Sequence, residues 1–457
     1  MKTAVVYKSS CQENNLRLDP SFHLSEGVSA KRAILNGPYG TIPCGKAAMR
    51  IFNGGRYKRI YVTNPQCGIP LISSSGILKA DLSDAKLVSK KFSPEIEDRL
   101  VQKGWILISR SGTIGNTAFT NSGHAQKLAS EHVIRLVPTD ILRAGYLYAF
   151  LSSKFGYALL TQGTFGAVIQ HIECPHVANI PVPVFPDEMQ KEIDTLIREA
   201  ASLRDKAAEL FEESVDYFNK LLPSERETTK IFKKSIKALN FSWAAYNNNI
   251  ECDDIYSLMS DGIQLSKLTE TVFAPPLFKH IYLSNDNGYP FMTGAELSQQ
   301  CLPPYRWLSP KGVKEIHDYV VEEGTLLLYK SGNIEGGILG NVFIVDKWLN
   351  GFCLSDHVIR IKMKDKRMAY WTYAFLKSRA GKKLLLQLAT GAVIPFITPD
   401  RLNNLIKIPA PTAEFDTICE KIDRYLTYRS ESNFLELKAI SMVEAEIESW
   451  DKNEGNK

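Results

Sequence analysis

The sequence lacks the features that would mark a membrane protein, a secreted protein or a metalloprotein. Among its 457 residues, of which 44% are hydrophobic, no stretch approaches the roughly 20 uncharged apolar residues that a membrane helix needs. Residues 1–8 lack the long apolar segment of a secretory signal. The eight cysteines stand alone, without a C-x-x-C pair, which favours reduced thiols over disulfides or a zinc site. We therefore expect a cytoplasmic globular protein with no structural metal.

Complete catalytic and nucleotide-binding motifs are also missing. The segment 40–47 has the spacing of a phosphate-binding P-loop, but Ala47 replaces the Ser or Thr that would hold Mg²⁺, and Pro43 removes a backbone donor. His171 and His176 could bind a metal only with further ligands, and no clustered Cys, His or Asp supplies them. There is no Gly-x-Gly cofactor loop. We expect neither a catalytic centre nor a bound cofactor.

Two short segments contain the residue types of a hydrolase triad. They are Ser-Glu-His at 130–132 and Ser-Asp-His at 355–357. Neighbours on a strand point to alternate faces of a sheet, so three consecutive residues cannot form that triad together. The two segments are therefore predicted to share a structural role.

A long internal repeat dominates what the sequence does contain. Gly-Ala-Val-Ile at 166–169 recurs at 391–394, and Ser-Glu-His-Val-Ile-Arg at 130–135 recurs as Ser-Asp-His-Val-Ile-Arg at 355–360. The matching segments keep their order along the chain while their offset drifts, as expected if insertions collect in loops. The chain is therefore predicted to contain one fold twice.

Each copy has the pattern of a small α+β globule. Short runs rich in Ile, Val and Leu are punctuated by Gly, Pro and Asn, which indicates strands and turns, with helices near 146–161 and 370–388. Proline-rich ends at 180–186 and 408–412 break the preceding elements. We predict two tandem α+β domains, each followed by a helical segment, with the boundaries 1–186, 187–240, 241–412 and 413–457.

The first helical segment carries a long apolar seam with alternating spacings of three and four residues, the pattern of a coiled coil. Its positions are Met189, Ile193, Leu196, Ala200, Leu203, Ala207, Leu210, Ser214, Tyr217 and Leu221. At about 1.5 Å per residue this helix would span roughly 50 Å. A single helix packed on its own globule is the alternative. In the second segment the seam is interrupted by Arg429, Asn433 and Glu436, which predicts looser or bent pairing there.

Positive charge is concentrated in the globules rather than in the helices. Residues 1–186 carry 21 Lys and Arg against 11 Asp and Glu, and residues 241–412 carry 18 against 16. The helical segments 187–240 and 413–457 are net acidic, with 10 against 12 and 6 against 11. Phosphate binding rewards local positive charge, so this pattern favours nucleic-acid contact by the globules. Chance asymmetry of a solvated surface is the alternative, above all for the second globule.

Several short motifs accompany this architecture. Gly-Pro-Tyr-Gly stands at 37–40, Arg-Ser-Gly-Thr-Ile-Gly at 110–115, and each Gly-Ala-Val-Ile precedes a proline-rich exit into a helix. Together with the two globules and two helices, these motifs resemble the specificity subunit of type I restriction-modification enzymes over almost the whole chain. The second half departs from the pattern, because it has Asn333 where the first has Thr113, and it lacks a clear Gly-Pro-Tyr-Gly counterpart.

The resemblance implies a non-catalytic DNA-binding subunit of a restriction system for phage defence. Each globule would be a target recognition domain that reads one half of a split, asymmetric duplex DNA sequence. The helices would pair as an antiparallel coiled coil, set the gap between the half-sites and dock two methyltransferase subunits. Restriction subunits would join through these partners, and no cofactor is implied.

Candidate DNA contacts follow from residue type and placement. Cationic residues that flank an Ile-Tyr strand suit phosphate or base contacts, with a solvated strand edge as the alternative: Arg56, Lys58, Arg59, Lys279 and His280. Residues on glycine turns suit base edges, Arg or Lys for guanine and Asn for adenine: Arg110, Ser111, Thr113, Lys330, Ser331 and Asn333. Thr164 and Thr390 lie in loops whose glycines would let backbone approach DNA closely, although a turn with positive φ explains the glycines equally well.

Two other functions remain open on the sequence alone. The recognition portion of a fused or stand-alone DNA-modifying enzyme would need a cofactor loop and a catalytic motif, for which two globules and two helices leave no room. A protein-binding coiled-coil scaffold would bind duplex DNA weakly and without salt dependence, whereas phosphate neutralisation gives a steep loss of affinity with salt.

Overall fold

The chain folds into two compact units, each built from one α+β globule and segments of two long helices. The computed structural model describes residues 23–56, 58–82, 85–92, 96, 99–162, 171–222, 233–239, 243–284, 287–300, 306–334, 337–391 and 393–454. The first unit lies within Met1–Asp205 and Ser432–Lys457, and the second within Lys206–Glu431.

The described part of the first half contains five α-helices and ten strands. The helices are α1 (Glu26–Leu35), α2 (Ala144–Ser152), α3 (Lys154–Gln162), α4 (Cys174–Ala178) and α5 (Asp187–Leu221). The strands are β1 (Thr41–Pro43), β2 (Ala48–Phe52), β3 (Tyr61–Val62), β4 (Gly68–Ile72), β5 (Leu87–Ser89), β6 (Ile106–Ser109), β7 (Thr117–Phe119), β8 (Leu128–Ala129), β9 (Val133–Pro138) and β10 (Pro181–Pro183).

The described part of the second half continues with seven helices and ten further strands. The helices are α6 (Ile250–Leu258), α7 (Leu265–Leu268), α8 (Gly294–Leu297), α9 (Lys366–Lys377), α10 (Arg379–Gln387), α11 (Pro399–Leu405) and α12 (Phe415–Glu454). The strands are β11 (Ile263–Gln264), β12 (Thr269–Phe273), β13 (Tyr282–Leu283), β14 (Tyr289–Met292), β15 (Trp307–Leu308), β16 (Leu326–Tyr329), β17 (Val342–Ile344), β18 (Cys353–Leu354), β19 (Val358–Met363) and β20 (Lys407–Ile408).

The two halves have the same sheet topology. The strand orders are β2-β9-β6-β7, β3-β5-β4-β8 and β1-β10 in the first, and β12-β19-β16-β17, β13-β15-β14-β18 and β11-β20 in the second. Among these strands only β4 with β8 and β14 with β18 pair in parallel. Registers agree as well, since Leu107 faces Arg135 as Leu327 faces Arg360. The predicted tandem α+β repeat is thus confirmed in strand order and register.

A buried arginine lies at the same place in the main sheet of each unit. Arg135 is 0% exposed and Arg360 is 2% exposed, and burial lowers the pKa of the Arg360 guanidinium to about 10. Each guanidinium donates hydrogen bonds to backbone carbonyls just before or at the start of its own strand. The acceptors are Ala129 and Val133 for Arg135, and Leu354, Ser355 and Val358 for Arg360. Buried donors need such acceptors, so these bonds fix the turns at 130–132 and 355–357.

Helices of each globule are tied to the proline-rich segment by aromatic side chains. In the first unit Tyr146 of α2 is buried and donates to the carbonyl of Pro183 at 2.6 Å. In the second unit Trp371 of α9 is buried and donates to the carbonyl of Pro409 at 2.9 Å. Proline has no backbone donor, but its carbonyl still accepts. The same kind of bond therefore anchors the exit of each globule.

The two long helices pair in antiparallel fashion. Within the second unit, the ring centroids of Phe211 and Tyr425 lie 4.9 Å apart, and Glu213 forms an ion pair with Lys421 at 2.8 Å. Residue numbers rise along one helix as they fall along the other. The predicted antiparallel pairing is confirmed by these contacts, and apolar residues at heptad spacing supply the buried face.

Most of the predicted seam of α5 is buried. Its buried members are Ile193, Leu196, Ala200, Leu203, Ala207 and Ser214. Towards the end of the helix, burial moves from Leu221, which is 41% exposed, to Phe218 and Leu222. None of the helices in the described ranges combines the length and hydropathy that a membrane crossing demands.

The polar stretch in the middle of α12 is buried and paired. Within the second unit, Arg429 Nε lies 3.1 Å from Asp346 Oδ2. Within the first unit, Glu436 forms an ion pair with Arg204 and accepts a hydrogen bond from Tyr148 at 2.7 Å. The helix is continuous through both positions. Two of the polar residues that interrupt the seam, and that predicted looser or bent pairing, therefore form buried ion pairs.

Candidate nucleic-acid interface

The candidate contact residues of the first unit meet where strand β6 ends beside the turn into β9. The backbone N–H of Arg110 donates to the carbonyl of His132 at 2.9 Å, and the N–H of Ile172 donates to the carbonyl of Arg110 at 3.0 Å. Ser111 forms an isolated antiparallel bridge with His171. Three separate chain segments are thus joined at one edge of the main sheet.

His132 lies at the centre of this edge. Ser111 Oγ is 2.6 Å from His132 Nδ1, and His132 Nε2 is 3.5 Å from Glu131 Oε1. Burial lowers the pKa of His132, and nearby guanidiniums lower it further, namely those of Arg110, Arg59 and Arg56. Both effects disfavour the charged ring.

Two of these arginines are held by carboxylates. Arg59 forms an ion pair with Glu131, and Arg110 forms an ion pair with Glu173. Arg110 Nε also donates to the carbonyl of Ile172 at 3.1 Å. A guanidinium presents its donors in a fixed planar fork. These pairs therefore hold the two forks in a fixed orientation.

The remaining candidates of the first unit are more exposed. Arg56 and Lys58 are exposed on the segment that leads to β3. Thr113 is exposed on the turn after β6, where its carbonyl accepts from Ser109 Oγ. The cluster around His132 thus includes Arg56, Arg59, Arg110 and Ser111, while Lys58 and Thr113 present their side chains to solvent.

The second unit repeats this arrangement with different side chains. The N–H of Lys330 donates to the carbonyl of His357 at 3.1 Å, and the carbonyl of Lys330 accepts from Ile397 at 2.7 Å. Ser331 Oγ lies 3.4 Å from His357 Nδ1, and Lys330 Nζ lies 3.7 Å from Asp356 Oδ2. The lysine and serine therefore occupy the places of the arginine and serine of the first unit.

His280 and Lys279 have contrasting surroundings. His280 is half-buried, and its ring centroid lies 4.9 Å from that of Phe291. Burial lowers the pKa of His280, while the charge of Asp356 raises it and that of Arg306 lowers it. Lys279 is exposed. The structure thus brings His280 close to the acidic partner of Lys330 and leaves Lys279 at the surface.

The last described candidates lie on two loops of the second unit. Asn333 is exposed on the turn that follows Ser331. Thr390 exchanges backbone hydrogen bonds of 2.9 and 2.7 Å with Phe396. Gly391 has a φ of +106°, a conformation that residues with a Cβ rarely adopt, so the turn itself requires this glycine. Thr164 lies outside the described residues.

The sequence of this chain matches a known domain family. The family model for the type I restriction modification DNA specificity domain matches residues 51–198 and 271–433. These two segments contain all the described candidate contacts. The chain belongs to this specificity-domain family.

Two solved structures are similar to this specificity-family chain. One is a type I restriction-modification S subunit from M. genitalium, with 13% identity, a TM-score of 0.33, and coverage of 90% of this chain and 94% of that one. The other is an HsdS subunit from Thermoanaerobacter tengcongensis, with 14% identity, a TM-score of 0.29, and coverage of 90% and 96%. Among curated proteins, none matches the chain.

The contacts predicted from the sequence did not include residues 131–132 and 356–357, each an acidic residue followed by a histidine. The repeated Ser-acidic-His segments are the sequence feature that could have identified them. Both segments lie in turns rather than on strands, so the alternation argument does not apply to them, and each histidine meets a serine 21 or 26 residues away. Ser111 is only 6% exposed, so its hydroxyl makes the histidine contact and is not presented to solvent as a nucleophile would be.

The side chains of the candidate interface are suited to hydrogen bonds and ion pairs. Within the residues that the structure describes, no group of three or more His, Cys, Asp or Glu side chains could hold a metal ion. Guanidinium and hydroxyl groups meet in the first unit, and ammonium and hydroxyl groups meet in the second; groups of these kinds contact DNA phosphates and base edges.

Proposed function

We propose that this chain is the sequence-recognition subunit of a type I restriction-modification complex and that it reads a split duplex DNA target. Residues 1–186 and 241–412 act as two target recognition domains, and each reads one half-site. The chain itself is non-catalytic and holds no cofactor, because methyl transfer and cleavage belong to partner subunits. It works in the cytoplasm, where it meets the DNA.

The duplicated edge around His132 and His357 carries this proposal. Both edges use the same backbone bonds and the same Ser-His contact. The cationic residue at this position differs between the two units, because Arg110 in the first corresponds to Lys330 in the second. A common scaffold with different contact residues is what two unlike half-sites require.

We assign the candidate contacts to two classes. Exposed cations bind phosphates and position the protein, namely Arg56, Lys58 and Lys279. Residues on the frame read base edges or orient those that do, namely Arg59, Arg110, Ser111, Thr113, His280, Lys330, Ser331 and Asn333. Thr164 and Thr390 mark the loops whose backbone approaches DNA. Arg110 and Lys330 suit guanine, and Asn333 suits adenine.

The long helices serve as the spacer and the docking site for two methyltransferase subunits, through which restriction subunits join. Helix α5 has 35 residues and α12 has 40, so each extends about 50 to 60 Å. One turn of duplex DNA is roughly 34 Å. A rod of this length can therefore hold two readers about one turn apart.

Mapping methylated bases in cells tests the function directly. The partner methyltransferase is expressed with and without this chain, and modified positions are sequenced across the genome. We expect a split motif that is modified only when the chain is present. A chain that transfers methyl groups unaided, or a genome whose methylation does not depend on the chain, contradicts the proposal.

Exchange of one globule tests the two-reader arrangement. Residues 1–186 are replaced by the first globule of another family member, and the methylated motif is mapped again. Only one half of the motif should change, because the other reader is untouched. A change in both halves refutes independent readers.

A further inference from the structure

The loop from Thr390 to Phe396 exposes an apolar tip beside the candidate interface of the second unit. Val393 is 89% exposed and Ile394 is 65% exposed. Valine and isoleucine are among the residues most often fully buried, so two adjacent exposed ones in a short loop call for a partner. Phe396 and Ile338 of the same unit are exposed to a lesser extent, 43% each.

Backbone bonds hold this tip in place. Thr390 and Phe396 close the loop on each other, and the N–H of Gly332 donates to the carbonyl of Pro395 at 3.1 Å. The N–H of Ile397 donates to the carbonyl of Lys330 at 2.7 Å. The loop is thus bonded along both sides of the turn that carries the predicted base-reading residues.

The surroundings of the tip favour DNA as the occupant. The turn bonded to the loop carries Lys330, Ser331 and Asn333, a cation, a hydroxyl and an exposed amide. The cores of protein–protein interfaces are depleted in charged residues. Some proteins that bend DNA, best known among minor-groove binders, combine cationic and amide contacts with apolar side chains that enter between base steps.

We propose that Val393 and Ile394 form an apolar wedge that enters the duplex and unstacks one base step in the half-site read by the second unit. This proposal rests on the proposed function. Insertion costs least at flexible pyrimidine–purine steps, so the wedge adds sequence preference at a position that no polar side chain reads. It also loosens the stack near a base that a methyltransferase must extrude to modify.

Fluorescence of 2-aminopurine, which rises when the base is unstacked, provides the test. The full chain with its methyltransferase subunits binds duplexes in which 2-aminopurine replaces one adenine at a time, on either strand of the second half-site and outside the modified position, because the extruded base would brighten without a wedge. The wild type should brighten one step severalfold. The variant Val393→Ser/Ile394→Ser should lose this signal and bind its target at least about tenfold more weakly, the scale of one lost specific contact.

A matched control removes an exposed apolar side chain elsewhere in the same unit. Leu258 at the end of α6 is 57% exposed, and Leu258→Ser should leave both the brightened step and the affinity unchanged. Size-exclusion chromatography of each variant with the methyltransferase subunits records whether the complex still assembles.

Three results would overturn the wedge, and they are distinguishable. If the wild type binds its target but brightens no step, the proposed function stands and the wedge fails. If Val393→Ser/Ile394→Ser prevents assembly with the methyltransferase while the free chain keeps its DNA affinity, the tip is a protein contact. If the wild-type complex binds no DNA at all, the proposed function fails and the wedge fails with it.

Discussion

Ser111 Oγ lies 2.6 Å from Nδ1 of His132, and the same contact recurs in the second unit between Ser331 and His357 at 3.4 Å. In both units the bond joins the end of one central strand to the turn before its neighbour. It fixes the orientation of an imidazole around which the candidate DNA contacts gather. The repeat has therefore preserved a side-chain contact as well as a strand order.

Loss of the Ser111 hydroxyl should affect only one half-site. Ser111→Ala removes the acceptor or donor that orients His132, and a net hydrogen bond of this kind is worth about 1 kcal/mol. We expect a several-fold loss of affinity for the cognate target and relaxed discrimination in the first half-site. Competition binding with singly substituted duplexes measures this. Ser331→Ala is the matched variant for the second half-site, and an effect of Ser111→Ala on that half would contradict the assignment.

Removal of the Glu131 charge should make binding stronger but less selective. Glu131→Gln takes the carboxylate away from Arg59 and His132, so the cluster becomes more positive. Affinity for random duplex DNA should rise, and the slope of log K against log salt should steepen by about 0.9 if one more phosphate is bound. Glu322→Gln, which removes an exposed partner of Lys362, is the control and should change neither quantity. An unaltered salt slope in Glu131→Gln would mean that the guanidinium of Arg59, once released from Glu131, gains no phosphate contact.

Charge reversal of the exposed cations should weaken binding at every sequence. Arg56→Glu with Lys58→Glu introduces repulsion of phosphates without altering a base contact. The affinities for cognate and random duplexes should fall together, and the salt slope should drop by about 2. Lys347→Glu reverses another exposed lysine and serves as the control. Unchanged affinity would remove Arg56 and Lys58 from the footprint.

The fold could be predicted from the sequence because the repeat is carried by strand-forming segments. Residues 104–112 and 324–332 match in pattern, and they form the equivalent strands β6 and β16. Strand identity depends on local apolar runs and turn residues, which periodicity shows directly. Residues at the ends of these strands, such as Arg110 and Lys330, could therefore be placed at the site before the structure.

The partners of those residues could not be predicted in the same way. His132 meets Ser111 only because β6 and β9 are neighbours in the sheet, an order that local patterns do not specify. Similarly, the polar residues of α12 looked like a weakness of the seam, because their partners Asp346 and Arg204 are far away in the sequence. Ion pairs between distant segments leave no periodic signal.

The first unit should lose stability as pH falls through the range between 6.5 and 4. His124 is 1% exposed, and burial lowers its pKa from 6.5 to about 4. The unfolded chain therefore binds a proton in this range that the folded chain excludes, so the free energy of unfolding decreases with decreasing pH. From pH 7.5 to 5 this group alone should cost about 2 kcal/mol.

Denaturant unfolding of the wild type and of His124→Gln at both pH values isolates this effect. The variant is expected to be less stable at pH 7.5, because His124 Nε2 lies 3.1 Å from the carbonyl of Ile77, a contact that the shorter amide reproduces imperfectly. It should nevertheless lose less stability on acidification than the wild type. Parallel pH dependences in the two proteins would show that His124 titrates normally.

The ion pair between Arg204 and Glu436 should be needed as a pair rather than as single charges. Glu436 is 4% exposed and also accepts from Tyr148 at 2.7 Å. Arg204→Met leaves a buried carboxylate without its main cation, and an unbalanced charge of this kind costs about 3–5 kcal/mol. Glu436→Leu should destabilise the first unit for the complementary reason.

The double variant Arg204→Met/Glu436→Leu should regain most of the lost stability, since apolar residues of similar volume often replace a buried ion pair without net cost. Denaturant unfolding of the four proteins gives the coupling energy. Glu213→Gln with Lys421→Gln removes a more exposed pair on the same two helices, and this control should show little coupling because water screens such a pair. Additive losses from Arg204→Met and Glu436→Leu would show that the two helices are held here by packing alone.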